Sequence, residues 1–263
     1  MLRVSNAPNS RKLGTMEWTD QAIVLGARRQ GEGSLTLSVL SRLHGRHKGL
    51  VRGGARSRQR GLYEPGNVVT ATWHARLAEH LGLFQLEPGI NYASLVLEDP
   101  LRLACLEAAT ALTEAALPER SPYPALFDGL GDLLIQLGRD EGYAVAHLRW
   151  ELSMLSELGY GLDLAACAVT GETADLAFVS PRTGRAVSRA AGGAYESRLL
   201  VLPRLLGGLG SGGGDMRDLL DGLTLTGAFL DRLTDHRVPQ ARTLYVDRVA
   251  RLVAISGGNG EQD

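Results

Sequence analysis

Two cysteines in 263 residues, Cys105 and Cys167, are too few for a disulfide framework or a four-thiolate metal site. A reducing, cytoplasmic compartment is the expectation. Aromatic residues reach only 5%. Lysine is nearly absent: apart from Lys12 and Lys48, all 28 basic residues are arginine, as genome bias toward Ala, Gly and Arg codons would produce. Long apolar runs are missing. The longest stretch without Asp, Glu, Lys or Arg is eleven residues, Pro65 to Ala75, against about 20 for a membrane helix; a soluble chain with no membrane contact is expected. The opening MLRVSNAPNSRKLGT lacks the apolar block of a secretion signal. No Gly-Lys is followed by Ser or Thr, since Lys12 precedes Leu13 and Lys48 precedes Gly49, which excludes a phosphate-binding P-loop.

What is present is charge, unevenly placed. Residues 1–63 hold twelve Lys or Arg against Glu17, Asp20 and Glu32, a balance of +9. With −1 overall, residues 64–263 must sum to −10. Such asymmetry joins a polyanion-binding part to an ordinary acidic part. Its centre is residues 33–63, with Arg42, Arg46, Lys48, Arg52, Arg56, Arg58 and Arg60, plus His44 and His47, and no acid. Cations along one sheet edge and its loop suit a phosphate backbone, whose binding releases counterions and is salt-sensitive and sequence-independent. The alternative for this stretch is a solvated basic face. Stacking platforms are few: Trp73, with Tyr63 and Phe84 as further possibilities.

Residues 1–15 show no periodicity and read as a disordered extension. Strand-like runs follow at Gln21–Ala27, Ser34–Ser41, Lys48–Arg52, Val68–His74 and Leu81–Leu86, several alternating apolar and polar residues, with glycine-rich turns between. Five short strands in about 70 residues suit a small antiparallel barrel, most commonly an OB fold. Beyond Pro88 the pattern is helical. Asp99-Pro100 is an N-cap and first-turn proline, with helix to Leu117; Ser121-Pro122 opens a second helix to about Leu137. A third spans about Glu141 to Leu158, with Val145, Leu148, Leu152 and Leu155 on one face and Gly159 as its stop. A short β-like insert covers 160–195, helix resumes at about Ser197, and Leu219–Leu233 and Thr243–Ala254 complete the chain. The expected class is α+β: an extension (1–15), a five-stranded OB barrel (16–90), a helical domain (91–254) interrupted by the insert, and a disordered tail (255–263).

Catalytic constellations are not evident. Gly208-x-Gly210-x-x-Gly213 matches a dinucleotide fingerprint formally but lacks the βαβ context that makes it work. An enzyme using this loop is the rival hypothesis, and a flexible loop the preferred one. His44 and His47 lack a third ligand; His147 reads as a helix-surface or core-edge histidine, and Cys105 as a small buried apolar residue.

Asp20-Gln-Ala-Ile-Val-Leu-Gly, Gly31-Glu-Gly-Ser34 and His44-Gly-Arg-His-Lys-Gly-Leu-Val-Arg-Gly-Gly-Ala-Arg56 resemble the bacterial DNA repair and recombination mediator family RecO. So do Cys167-Ala-Val-Thr-Gly171, Ala177-Phe-Val-Ser-Pro-Arg-Thr-Gly184 and Ala186-Val-Ser-Arg189. The resemblance spans residues 16 to about 254. It implies an OB domain, a helical domain and an inserted zinc knuckle. Family members often carry two Cys-x-x-Cys pairs in that knuckle. Here those positions are Cys167 and Thr170, then Ser188 and Ala191, so three of four ligands are lost and no zinc or other cofactor is expected. The resemblance implies a non-enzymatic, nucleoid-associated protein that binds single- and double-stranded DNA and anneals complementary strands. It further implies partnership with RecR and with the acidic tail of single-stranded DNA-binding protein, and help in loading RecA. The DNA-contacting set is then Arg42, His44, Arg46, His47, Lys48, Arg52, Arg56, Arg58, Arg60 and Trp73. Another OB-fold binder acting on RNA shares the same charge logic.

Overall fold

A computed structural model describes residues 16–56, 60–77, 79–139, 142–209 and 215–258. The extension 1–15, Arg58, the glycines from 210 to 213 and residues 259–263 lie outside the described residues.

Strands β1 (Met16–Gln30), β2 (Ser34–Ser41), β3 (Gly45–Val51), β4 (Val68–Ala75) and β5 (Leu83–Pro88) close into a barrel of order β1-β2-β3-β5-β4. Closure depends on β1, which at 15 residues serves two neighbours. Met16 to Ile23 pair with β4, and Ala22 to Gln30 pair with β2. A register shift between Val24 and Gly26 bends the strand between these tasks. Alternation in β2 and β4 sends Leu35, Leu37, Val39, Val69, Ala71 and Trp73 into the barrel interior. Leu25 and Leu40, with Ile23, belong instead to the core shared with the helices. Residues 22–25 are buried without alternation because the barrel lies on one side and helices on the other.

The helices are α1 (Tyr92–Val96), α2 (Pro100–Ala116), α3 (Pro124–Arg139), α4 (Tyr143–Glu157), α5 (Arg189–Gly192), α6 (Met216–Leu233) and α7 (Gln240–Gly258). Asp99 caps α2, its carboxylate accepting the amides of Leu101 at 2.8 Å and Arg102 at 3.0 Å. Gly159, at φ +86°, follows α4 where the sequence places its stop. Two expectations need correction. No helix resumes at Ser197: a 3₁₀ turn (Gly193–Arg198) leads into β8 (Leu200–Val201), which pairs with β6 (Leu176–Val179), and β6 pairs with β7 (Ala186–Ser188). The insert is therefore a three-stranded sheet; a short apolar run such as Leu199–Leu202 has no period by which strand and helix differ. Helix α7 continues to Gly258, so residues 255–258 are not tail.

His147 also departs from expectation, being fully buried. Its Nε2 lies 3.1 Å from Glu151 Oε1 and its Nδ1 3.3 Å from Cys105 Sγ. Glu151 is in turn held by Arg242 through Nε at 2.7 Å and Nη2 at 2.9 Å, and by the Thr226 hydroxyl. Arg242 and His147 outweigh the cost of burial and keep the Glu151 carboxyl well below the usual carboxylate range. This chain ties α2, α4, α6 and α7 together. Helical spacing alone shows His147 and Glu151 sharing a face, but not the partners brought from three other helices.

Candidate nucleic-acid interface

The cations of residues 33–63 separate into two groups at opposite ends of the barrel strands. At the β2–β3 turn, Arg42 makes a bidentate pair with Asp128 of α3, both bonds 2.9 Å. Arg46 donates from Nε to Leu117 O at 2.7 Å and pairs with Glu119 at 3.2 Å; Lys48 reaches the same carboxylate at 3.1 Å. Burial pushes the Glu119 pKa up, but Lys48 and Arg46 outweigh it and hold the group below its ordinary value. The segment lies along β3 as a short extra edge: Arg46 bridges to Glu119 in parallel, and the Arg120 amide donates to Arg46 O at 2.8 Å. Gly45 admits this approach, since a Cβ there would stand 2.1 Å from Ser121 O. Arg42, Arg46 and Lys48 thus already hold the barrel against the helices.

Three aromatic members of the expected set lie beside them. His47 is 6% exposed and Trp73 2% exposed. Trp18 stacks on His44 with centroids 4.5 Å apart and meets His47 edge-on at 5.0 Å. Burial, reinforced by Arg120, lowers the His47 pKa to about 4, so the ring is neutral at pH 7. His44 is the half-exposed member of this cluster.

The other end is different. The Ala55 amide donates to Gly33 O at 3.2 Å, tying the β3–β4 loop to the β1–β2 turn. This gathers Arg52, Arg56 and Arg60 of the loop with Arg28 and Arg29 at the end of β1, all exposed. Arg28 and Arg56 have only loose pairs, 4.0 Å to Glu114 and 3.9 Å to Glu32, with side chains 84% and 74% exposed. Pairs of that kind contribute about 0–1 kcal/mol and exchange readily. Arg29, Arg52 and Arg60 have no acidic partner among the described residues. Sequence reasoning missed Arg28 and Arg29, which fall before the acid-free stretch; the signal was an adjacent arginine pair beside a glycine turn.

In the insert, Cys167 Sγ accepts the Ser188 amide at 3.3 Å and the Thr170 hydroxyl meets Glu172 at 3.2 Å. Among the described residues no three His, Cys, Asp or Glu side chains converge as a metal would need. One sulfur among hydroxyls does not fit a tetrahedral zinc. No helix among the described residues is long and apolar enough to cross a membrane.

Comparison with known proteins accords with this architecture. Residues 16–88 match the family model for the recombination protein O N terminal region, and residues 97–242 that for its C terminal region. A DNA repair protein RecO from Rhodospirillum centenum is 52% identical over 248 residues, covering 92% of this chain and 98% of the relative. A DNA repair protein RecO from a Ruegeria species is 46% identical over 243 residues, 90% of this chain and 100% of the relative. Matches of this extent and identity, running through both barrel and helices, place the chain in the recombination protein O family, RecO.

Proposed function

We propose that this chain is a DNA repair protein that binds single- and double-stranded DNA through the arginine-rich end of its barrel. The observation that carries the reading is the set Arg28, Arg29, Arg52, Arg56 and Arg60, gathered at one end and lacking close acidic partners. Phosphates can take them without breaking contacts of the fold. Arg42, Arg46 and Lys48, by contrast, would have to leave Asp128 and Glu119. Screening two backbones at once lowers their mutual repulsion, which is the physical basis for annealing complementary strands. The same reading extends to a non-enzymatic, nucleoid-associated mediator in the cytoplasm. It would act with RecR and with single-stranded DNA-binding protein, whose tail is acidic, to help load RecA.

The test is a salt series. Changing Arg29, Arg52, Arg56 and Arg60 together to Ala should weaken binding to all sequences about equally, because phosphate contacts carry no base information. On single strands the log–log salt slope should fall by about three, at about 0.7 per contact, and annealing should fall with it. An unchanged slope with normal annealing would refute the reading.

A further inference from the structure

Resting on the DNA-binding reading above, we propose that a groove beside these arginines seats one unpaired nucleotide and selects it by its base, favouring cytosine over thymine. The groove has a volume of about 440 Å³ and is lined by Arg28, Arg29, Arg60, Tyr63, Glu64 and Glu107, among others. Its size falls within the range of small-ligand pockets. Three features coincide in it. Arg28, Arg29 and Arg60 supply cations for a phosphate. Tyr63, half-buried on the 3₁₀ turn Arg60–Tyr63, packs in part against the barrel core and turns the rest of its ring to the groove, where a base can stack. Glu64 and Glu107 supply carboxylates, which accept hydrogen bonds and donate none when ionised.

A purely basic groove would take any polyanion. Carboxylates beside the arginines repel phosphate oxygens and so oppose a backbone lying flat across them. They are satisfied by a ligand that brings N–H donors together with its phosphate. An unpaired nucleotide does so within one small space, whereas in a duplex the pairing edge is already occupied. The bases differ in what they offer. Cytosine presents its N4 amine, a known partner of Glu and Asp. Thymine presents one N–H flanked by two carbonyl oxygens, which a carboxylate repels. The groove therefore discriminates by negative charge placed where a base edge falls.

The experiment measures anisotropy of labelled dC12 and dT12 with the full chain at pH 8. Wild type should bind dC12 tighter by about three- to tenfold, around the low end of what a bidentate base contact gives. Glu64→Gln with Glu107→Gln should abolish the preference, since an amide both donates and accepts; both residues are exposed, so folding should be unaffected. Tyr63→Ala should weaken both oligomers by about fivefold or more, and Tyr63→Phe should not. Equal affinities in the wild type, or a preference that survives the double change, would overturn the inference. With a normal salt slope, either result spares the phosphate-binding reading. Absence of salt-dependent binding to both oligomers would overturn the two together.

Discussion

Replacing Arg242 with Ala should destabilise the protein by about 3–5 kcal/mol, the cost of leaving a buried charge without its partner. Arg242 is 5% exposed and Glu151 fully buried. The guanidinium donates two charge-assisted bonds to Glu151 and also donates to Leu223 O at 2.9 Å. Truncation leaves the carboxylate with the Thr226 hydroxyl and His147, whose pKa, against the cost of burial, Cys105 and Glu151 raise to about 10; the imidazole gives it one bond where the guanidinium gave two. At about 2–4 °C per kcal/mol for a chain of this size, the melting temperature should fall by about 6–20 °C. Thermal unfolding followed by circular dichroism at 222 nm reads this directly. The decisive control removes both charges: Glu151→Met with Arg242→Leu should recover much of the loss, because apolar replacement of a buried pair is often neutral. Thr226 keeps an acceptor in Gly222 O at 3.1 Å. A loss below about 1 kcal/mol for Arg242→Ala, or a double variant less stable than the single one, would refute the reasoning.

Three further outcomes are expected. His47 has a folded pKa of about 4 against an ordinary 6.5; the unfolded chain takes the proton first, so its contribution is present above pH 6.5 and lost as pH falls to 4. Melting curves across that window should flatten in His47→Phe, by at most about 3 kcal/mol, and identical pH profiles would contradict the assignment. Gly45 and Gly53 share φ +71°, but only Gly45 faces backbone at 2.1 Å, while Gly53 has nothing within 4 Å. Gly45→Ala should therefore cost clearly more than the 1–3 kcal/mol strain of about the size expected for Gly53→Ala, and equal urea midpoints would argue against the packed turn. Purified, tag-free protein should hold less than stoichiometric zinc by elemental analysis and melt alike with and without chelator; one zinc per chain would contradict the reading of Cys167 as a lone sulfur.

Local physics made much of the fold legible. Alternation in β2 and β4, the Asp99-Pro100 cap and the glycine after α4 are signals carried within a few residues, and the structure follows them. Arg42, Arg46 and Lys48 show the limit. Their charge is plain in the sequence, but Asp128 lies 86 positions from Arg42 and Glu119 lies 73 from Arg46, and no periodicity announces such pairings. Arg28, Arg29 and Glu107 were likewise invisible as neighbours of Arg60 because only barrel closure and helix packing bring them together. Trp73 occupies an inward position of β4, whose alternation was read, so its burial was within reach of the pattern; His47 lies in β3 just before the run read as strand, Lys48–Arg52, so its inward position was not.

The strip of chain along β3 bears on how the molecule could be divided. β3 pairs with β5 only at Leu50 and Leu83, and residues near Glu119 cover its first half. A fragment ending at residue 90 would bare that stretch of strand edge and release Arg46 and Lys48 from their carboxylate. It would also expose Ile23, Leu25 and Leu40, whose apolar neighbours are helical. An uncovered strand edge beside exposed apolar surface recruits other copies of itself. The barrel is thus a poor independent module, and a load applied at its arginine-rich end would be transmitted straight into the helices.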